Sequence, residues 1–185
     1  MKEIKLIQIL AISGSLRNAS SNTALLRSAI GLASEGVKIT LYEGLGNLPH
    51  FNPDLEGREI FSVKDIRTQL QISDGVLISS PEYAHGIPGV LKNALDWVVG
   101  SGELYRKPVA LINASPRAIH AQASLKEILM TMDAHIINEA SVTVPLSSNQ
   151  IDESSILSDS ELSGILHKAI VSFVSAIKII AKSAL

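Results

Sequence analysis

The chain alternates between short apolar runs and longer segments whose apolar residues recur every three or four positions. The short runs have the length of strands, and the longer segments have the spacing of helices that bury one face. The predicted strands are residues 6–12, 37–42, 75–80 and 108–113, with a last strand from 135 to about 144. The predicted helices are residues 23–30, 62–72, 89–99, 121–132 and 161–182. This alternation predicts an α/β protein with a five-stranded parallel sheet.

Two further stretches show neither the short apolar runs typical of strands nor the three-to-four-residue spacing typical of helices. Residues 43–58 are rich in Gly, Pro and Asn but include Leu48 and Phe51, which are too apolar for a solvated linker. We therefore expect an ordered loop near the functional site or at a subunit contact. Residues 145–159 are polar and are predicted to form a loop.

The loop after the first strand is unusually polar. It carries Ser13, Ser15, Ser20, Ser21 and Arg17, and it leads directly into the first predicted helix. The first N–H groups of a helix lack internal acceptors and its dipole favours an anion, so hydroxyls and a guanidinium placed there favour a phosphate. The alternative is a simple helix cap by Ser20, Ser21 or Asn22, but a cap needs only one such residue. The loop lacks both the Walker lysine pattern and G-x-G-x-x-G.

The loop after the third strand is dense in rigid residues. Pro81 and Pro88 restrict its backbone, whereas Gly86 and Gly89 permit unusual angles or close approach. Tyr83 offers a ring that can lie against an aromatic ligand, although a plain surface tyrosine is the alternative. Two interpretations of His85 are possible: it polarises a substrate, or it faces solvent.

Composition and charge narrow the classes of protein and of partner that fit the chain. Hydrophobic residues make up 46 % of the 185-residue chain, its formal net charge is -2, and it contains no cysteine. We expect one domain over residues 1–185 and no nucleic-acid or membrane partner. The absence of cysteine fits a cytoplasmic protein, which is what we expect. No signal peptide pattern is visible, and charged residues such as Lys168 and Lys178 interrupt the apolar C-terminal stretch. The five histidines show no ligand spacing, so no metal site is predicted.

Two motifs carry a resemblance to a known family. The first is G-S-L-R-x-x-S-x-N at residues 14–22, and the second is P-E-Y-x-x-x-x-P-G-x-L-K-N-A-x-D-W at residues 81–97. Together they resemble the NAD(P)H-dependent FMN reductases, a branch of the flavodoxin-like proteins, and the resemblance extends from Ile9 to at least Leu146. It implies a flavodoxin-like three-layer sandwich with strand order 2-1-3-4-5. In that order the loops after strands one and three meet at one crevice.

The resemblance also implies which residues hold the cofactor. It assigns the FMN phosphate to the first loop, where Ser13 adds a further hydroxyl, and the isoalloxazine ring to the second loop and to the end of strand four. The candidates are Ser13, Ser15, Leu16, Arg17, Ser20, Asn22, Pro81, Glu82, Tyr83, Ala84 and Ser115. The chain departs from the family after Ser115, where many relatives carry a glycine pair at the nicotinamide approach and this chain has residues Pro116 to His120. Arg117 is open between an NADPH phosphate contact and a surface position.

The implied activity is an FMN-dependent NAD(P)H oxidoreductase. NADPH or NADH would supply a hydride, and a quinone, azo compound, free flavin or oxidised metal ion would accept it by a ping-pong mechanism without an obligate catalytic side chain. Relatives form homodimers or homotetramers, and we expect at least a dimer. Two alternatives are a flavodoxin-like electron carrier, although such carriers are usually more acidic than this chain, and a non-catalytic flavin-binding protein.

Overall fold

A computed structural model describes residues 6–148 and 150–183. The two ends of the predicted domain, residues 1–5 and 184–185, lie outside these ranges. The start of the chain, where a signal peptide would begin, is therefore outside the described residues. The strands are β1 (Ile7–Ser13), β2 (Val37–Leu41), β3 (Gly75–Ser79), β4 (Pro108–Asn113), β5 (His135–Ile136) and β6 (Val142–Thr143). The helices are α1 (Ser21–Gly31), α2 (Phe61–Ile72), α3 (Gly89–Val99), α4 (Ile119–Thr131), α5 (Glu153–Ser158) and α6 (Ser160–Ser183). Short 3₁₀ turns occur at Leu45–Asn47, Pro53–Leu55 and Asn138–Ala140.

The sheet is parallel and has the order β2-β1-β3-β4-β5. Ile9 of β1 pairs with Gly75 and Ser13 pairs with Ser79, so β1 and β3 end at the same level. The predicted flavodoxin-like strand order is therefore confirmed. The carboxyl ends of β1 and β3 form the point at which the strand order reverses, and ligands bind at this point in open α/β sheets.

The last strand differs from the prediction, because it is split in two. β5 pairs with the start of β4 and β6 with its end, where Ile112 lies opposite Val142. Between them the Ser141 hydroxyl accepts a hydrogen bond from the N–H of Leu111 (3.1 Å) and donates one to the carbonyl of Ile137 (2.8 Å). A side chain thus replaces the backbone in the ladder, which allows the chain to turn while still covering β4.

The polar stretch 145–159 also differs from the prediction, because it contains helix α5. The Asp152 carboxylate accepts a hydrogen bond from the N–H of Ser155 (2.8 Å) and caps this helix. Hydrogen bonds from Ser155 and Ser154 hold the pKa of Asp152 below its ordinary value. Ile156 is fully buried and joins the core beside α1 and α6. Because a six-residue helix has one buried apolar position, its period is too weak to detect in the sequence.

Two apolar cores lie on opposite faces of the sheet and make three layers. Along β1, Ile9 and Ala11 join the core with α1, α5 and α6, whereas Leu10 and Ile12 join the core with α2, α3 and α4. Because side chains alternate along a strand, a strand covered on both faces is apolar throughout. The two cores hold the sheet as a rigid floor for the loops at its carboxyl edge.

Within the described residues one helix, α6, is long and apolar enough by length and composition alone to cross a membrane. Core helices pass the same test. Leu166, Phe173 and Ile177 on its inner side are buried in the sheet core, which accounts for much of its apolar character.

The predicted ordered loop after β2 is tied to helix α3. Asn93 accepts a hydrogen bond from the N–H of Phe51 (2.7 Å) and donates one to the carbonyl of Pro49 (2.9 Å). The Trp97 indole donates to the same Pro49 carbonyl (2.8 Å), and its ring meets Phe51 edge to face. The loop is therefore ordered by two polar side chains of α3.

Gly75→Ala tests the tight packing of α6 on β3. A β-carbon at Gly75 would lie 2.8 Å from Ile177 Cδ1 and 2.9 Å from Phe173 Cζ, both of which are buried. Overpacking should lower the free energy of unfolding by about 1–3 kcal/mol in urea titrations. Gly164→Ala is the control, because it meets no atom within 4 Å in the middle of α6. It should stabilise the protein by about 0.5–1 kcal/mol. An equal response of the two variants would contradict this packing.

Candidate functional site

A polar cleft lies at the carboxyl ends of β1, β3 and β4. Its volume is about 660 Å³, which falls within the range of roughly 300–1,000 Å³ typical of ligand pockets. Its walls come from the loops after these three strands and from the segment after β6. The lining residues are Ser15, Arg17, Ser20–Asn22, Ser80–Tyr83, Asn113–Ser115, Arg117, Ala118 and Leu146–Ser148.

Most of the predicted site residues meet in this cleft. Those that line it are Ser15, Arg17, Ser20, Asn22, Pro81, Glu82, Tyr83 and Ser115. Ser13, Leu16 and Ala84 do not line it. Ser13 is buried at the end of β1, and Leu16 lies beside Gly46. Ala84 occupies the tip of the turn after β3.

Short hydroxyl side chains organise the first loop. The Ser13 and Thr23 hydroxyls are 2.8 Å apart, and the Ser13 hydroxyl also accepts a hydrogen bond from the N–H of Ser15 (3.3 Å). The Ser15 hydroxyl in turn accepts one from the N–H of Arg17 (3.3 Å). The serines therefore shape the loop backbone from strand end to helix start, and Arg17 extends from it into solvent at the cleft.

Helix α1 begins at the floor of the cleft. Ser20 is its N-cap, and the Ser20 hydroxyl accepts a hydrogen bond from the N–H of Thr23 (3.4 Å). The capping alternative is thus correct for this serine. The first turn of α1, which is fully described, carries no acidic residue. The positive end of the helix dipole is therefore left for an external anion.

Asn22 connects α1 to the neighbouring strand. Its side-chain oxygen accepts a buried hydrogen bond of 2.9 Å from the Ser79 hydroxyl at the end of β3. The N–H of Gly14 donates to the Ser79 carbonyl (2.8 Å). A β-carbon at Gly14 would lie 2.7 Å from the Ser80 hydroxyl, so a larger residue at this position would displace the Ser80 side chain.

The second loop contains a tight two-residue turn. Tyr83 and Gly86 exchange two backbone hydrogen bonds of 3.0 Å each. Ala84 and His85 between them have φ angles of 48° and 58°, in the left-handed region that non-glycine residues seldom adopt. The turn leaves Tyr83 half exposed at the cleft.

The Glu82 side chain has a structural role that sequence reasoning missed. One carboxylate oxygen of Glu82 accepts a hydrogen bond of 2.9 Å from the N–H of Ala121, in the first turn of α4. The N-cap residue of this helix is Ala118, which provides no side-chain cap. The signal was the absence of Ser, Thr, Asp and Asn from residues 116–120, directly before and at the start of the helix, which implies that the helix takes an acceptor from elsewhere.

The loop after β4 adds a second cation to the cleft. Ser115 donates its N–H to the Asn113 side chain (3.2 Å), and the Ser115 hydroxyl accepts a hydrogen bond from the N–H of Arg117 (3.3 Å). Arg117 and Arg17 both line the cleft, whereas the Glu82 charge is directed at α4. The cleft therefore favours anionic ligands.

Tyr42 lies behind the first loop in a smaller adjoining cleft lined also by Ser13 and Leu16. Burial, and secondarily the nearby Asp65 carboxylate, raise the pKa of Tyr42 above its ordinary value. Its hydroxyl therefore stays protonated and neutral beneath the loop.

The fold and the cleft define a flavodoxin-like α/β protein with a polar, cation-lined site at the reversal of strand order. The structure resembles the flavoenzyme NAD(P)H:(acceptor) oxidoreductase FerB of Paracoccus denitrificans with a TM-score of 0.77 and 29% identity. That match covers 93% of this chain and 97% of that one.

Sequence comparisons identify the family. The model of the NADPH-dependent FMN reductases matches residues 7–149. An NAD(P)H-dependent FMN reductase of Pseudomonas aeruginosa is 35% identical over 159 residues, which cover 83% of this chain and 85% of that protein. An NADPH:quinone oxidoreductase of Arabidopsis thaliana is 36% identical over 147 residues, which cover 75% and 74%. The chain belongs to the NADPH-dependent FMN reductase family, and it is an NAD(P)H-dependent, FMN-using oxidoreductase.

Ser79→Ala tests the hydrogen bond between the two strand ends. The variant leaves the buried side-chain oxygen of Asn22 without its donor, which should lower the free energy of unfolding by about 1–3 kcal/mol. Urea titration measures the loss. Ser175→Ala, on the exposed side of α6, is the control and should not destabilise the protein, because alanine favours helix. Unchanged stability of Ser79→Ala would mean that the bond does not hold the strand ends together.

Proposed function

We propose that this cleft binds FMN and that one open side of it serves NAD(P)H and an electron acceptor in turn. The observation that carries the proposal is the meeting of two polar loops, from β1 and β3, in a cleft that contains a helix N-terminus and two arginines. FMN has a phosphate and a planar ring joined by a flexible chain. The phosphate matches the polar loop at the start of α1, and the ring matches the loop after β3.

The phosphate is assigned to the first loop. Ser15, Arg17, Ser20 and Asn22 line the cleft at the start of α1, whose first turn has no carboxylate to compete with a bound anion. The dianionic phosphate would receive backbone N–H groups, hydroxyls and a guanidinium there. Ser13 would act indirectly by supporting the loop, because its hydroxyl accepts a hydrogen bond from the N–H of Ser15. Leu16 would contribute backbone only, since its side chain lies toward Gly46.

The ring is assigned to the second loop. Pro81, Glu82 and Tyr83 line the cleft, Ala84 continues the turn, and Ser115 faces them from the loop after β4. Glu82 would act here as a positioning residue, because its carboxylate already caps α4. Tyr83 is half exposed and would offer its ring for stacking.

The chemistry needs no nucleophile or obligate base from the protein. Bound FMN supplies the capacity to take a hydride from NAD(P)H and to give two electrons to an acceptor. The residues of the chain bind and orient, and Arg117 is placed to attract an anionic group of the donor. The names of relatives in Escherichia coli, Arabidopsis thaliana and Burkholderia favour a quinone as acceptor. Azo compounds, free flavin and oxidised metal ions remain in the same proposal.

The proposal also includes a cytoplasmic homodimer or homotetramer built from single-domain subunits. The rival function is an electron carrier that binds flavin but turns over no small substrate. Steady-state NADPH oxidation with a quinone separates the two functions.

Arg17→Ala should weaken FMN binding at least about tenfold, because a charge-assisted hydrogen bond to phosphate contributes roughly 1.5–3 kcal/mol. Riboflavin has no phosphate, so its affinity should change little. Quenching of flavin fluorescence measures both affinities. Arg58→Ala, an exposed arginine outside the cleft, is the matched control. Equal losses for FMN and riboflavin would assign Arg17 to the fold or to the ring instead of the phosphate.

Absorption spectra test the flavin site, and steady-state kinetics test the shared side of the cleft. The purified protein should be yellow or become yellow with added FMN, and NAD(P)H should bleach it under anaerobic conditions. With a quinone as acceptor, double-reciprocal plots should give parallel lines, because donor and acceptor occupy the same space in turn. Intersecting lines together with a measured ternary complex would contradict the shared side. A colourless protein that takes up no FMN would contradict the flavin site itself.

A further inference from the structure

A cluster of two histidines and a glutamate lies at the mouth of the cleft. Glu82 and His85 come from the turn after β3, and His120 comes from the start of α4. One ligand atom from each of the three side chains lies within 4.8 Å of the other two. The two imidazole rings are stacked with their centres 4.4 Å apart and their planes at 19°. The spacing of these histidines along the chain gave no sign of a metal site, because His120 reaches the others only through the fold.

We propose that Glu82, His85 and His120 form a binding site for a divalent transition metal ion such as Zn²⁺. Imidazole nitrogen and carboxylate oxygen are preferred zinc ligands, and two histidines with one glutamate make a three-ligand set that leaves a fourth position open. The site goes beyond the proposed function and does not depend on FMN binding.

The surrounding structure holds the Glu82 carboxylate and the backbone of His85 in place. The Tyr83–Gly86 backbone pair fixes the turn, and the left-handed conformation of His85 sets its ring beside His120. Glu82 is held by the N–H of Ala121 through one carboxylate oxygen, which leaves the other oxygen for a metal. Preorganised ligands lower the entropy lost when a metal binds.

A small movement completes the geometry. Zinc bonds of about 2.0–2.2 Å place the ligand atoms of a tetrahedral site roughly 3.4 Å apart, so ligand atoms that lie within 4.8 Å of one another must approach by up to about 1.4 Å. Stacked rings do not aim both nitrogen lone pairs at one ion, so the rings must also turn. His85 and His120 are both exposed, and this leaves their side-chain rotations free.

A bound ion would tie the turn after β3 to helix α4. Because Glu82 and Tyr83 also line the cleft, this link lies at its edge. The site thereby joins the turn after β3 to the segment 116–120, which follows Ser115.

Calorimetric titration of Zn²⁺ into tag-free, EDTA-treated, FMN-saturated protein tests the proposal. We expect one ion per chain, and binding at least tenfold weaker in His85→Ala and in His120→Ala. Glu82→Gln should also weaken binding at least tenfold, while its amide oxygen still caps α4. His167→Ala is the control, because this exposed histidine lies on α6 at the opposite face of the sheet, and it should bind like the parent.

X-ray absorption of the zinc complex provides a second measurement. Two imidazole ligands should be visible in the parent, and fewer in each histidine variant. Absence of binding in the parent, or equal binding in the His85→Ala/His120→Ala double variant, would overturn the site and leave the histidines as a stacked pair. Thermal melting and FMN content of the exposed-residue variants establish that they are folded before either measurement is interpreted.

Discussion

The hydrogen bonds between the ends of β1 and β3 determine the geometry of the whole site. The Gly14 N–H binds the Ser79 carbonyl, and the Ser79 hydroxyl binds Asn22 at the start of α1. These contacts set the distance between the two loops that wall the cleft. Gly14 suits this close approach, because a β-carbon there would lie 2.7 Å from the Ser80 hydroxyl and displace it. The chemistry proposed for the loops therefore depends on a backbone contact made below them.

The sheet can sustain this contact because it is buried on both faces. Ile9 and Leu10, neighbours on β1, point into different cores, and both are nearly inaccessible to solvent. Densely packed interiors resist displacement, so the strand ends remain in register while the loops keep exposed polar residues. The division between a buried sheet and exposed loops also explains where the charged residues of the cleft lie. Arg17 and Arg117 lie on the exposed loops, and the floor beneath them contains short hydroxyl and amide side chains.

The sequence was sufficient to predict the features that repeat locally. β4 and α3 match their predicted bounds, since a buried strand and an amphipathic helix each impose a period on consecutive residues. The split final strand was not predictable, because the Ser141 hydroxyl replaces a backbone acceptor for Leu111, thirty residues away. Most predicted cleft residues meet as expected, since topology alone brings the two loops together. The contact of Glu82 with α4 was missed, because no local pattern records an acceptor supplied from a distant loop.

The missing cap of α4 links these observations. Ala118, the N-cap of α4, has no polar side chain, so a backbone donor of the first turn needs another acceptor, and the Glu82 carboxylate provides it. This bond draws the turn after β3 against the start of α4. As a result His85 meets His120, and Tyr83 is kept at the edge of the cleft. A glycine-rich segment after Ser115 would offer neither the imidazole nor the guanidinium found here. The segment after Ser115 therefore gives this side of the cleft the guanidinium of Arg117 and, beside the turn after β3, the imidazole of His120.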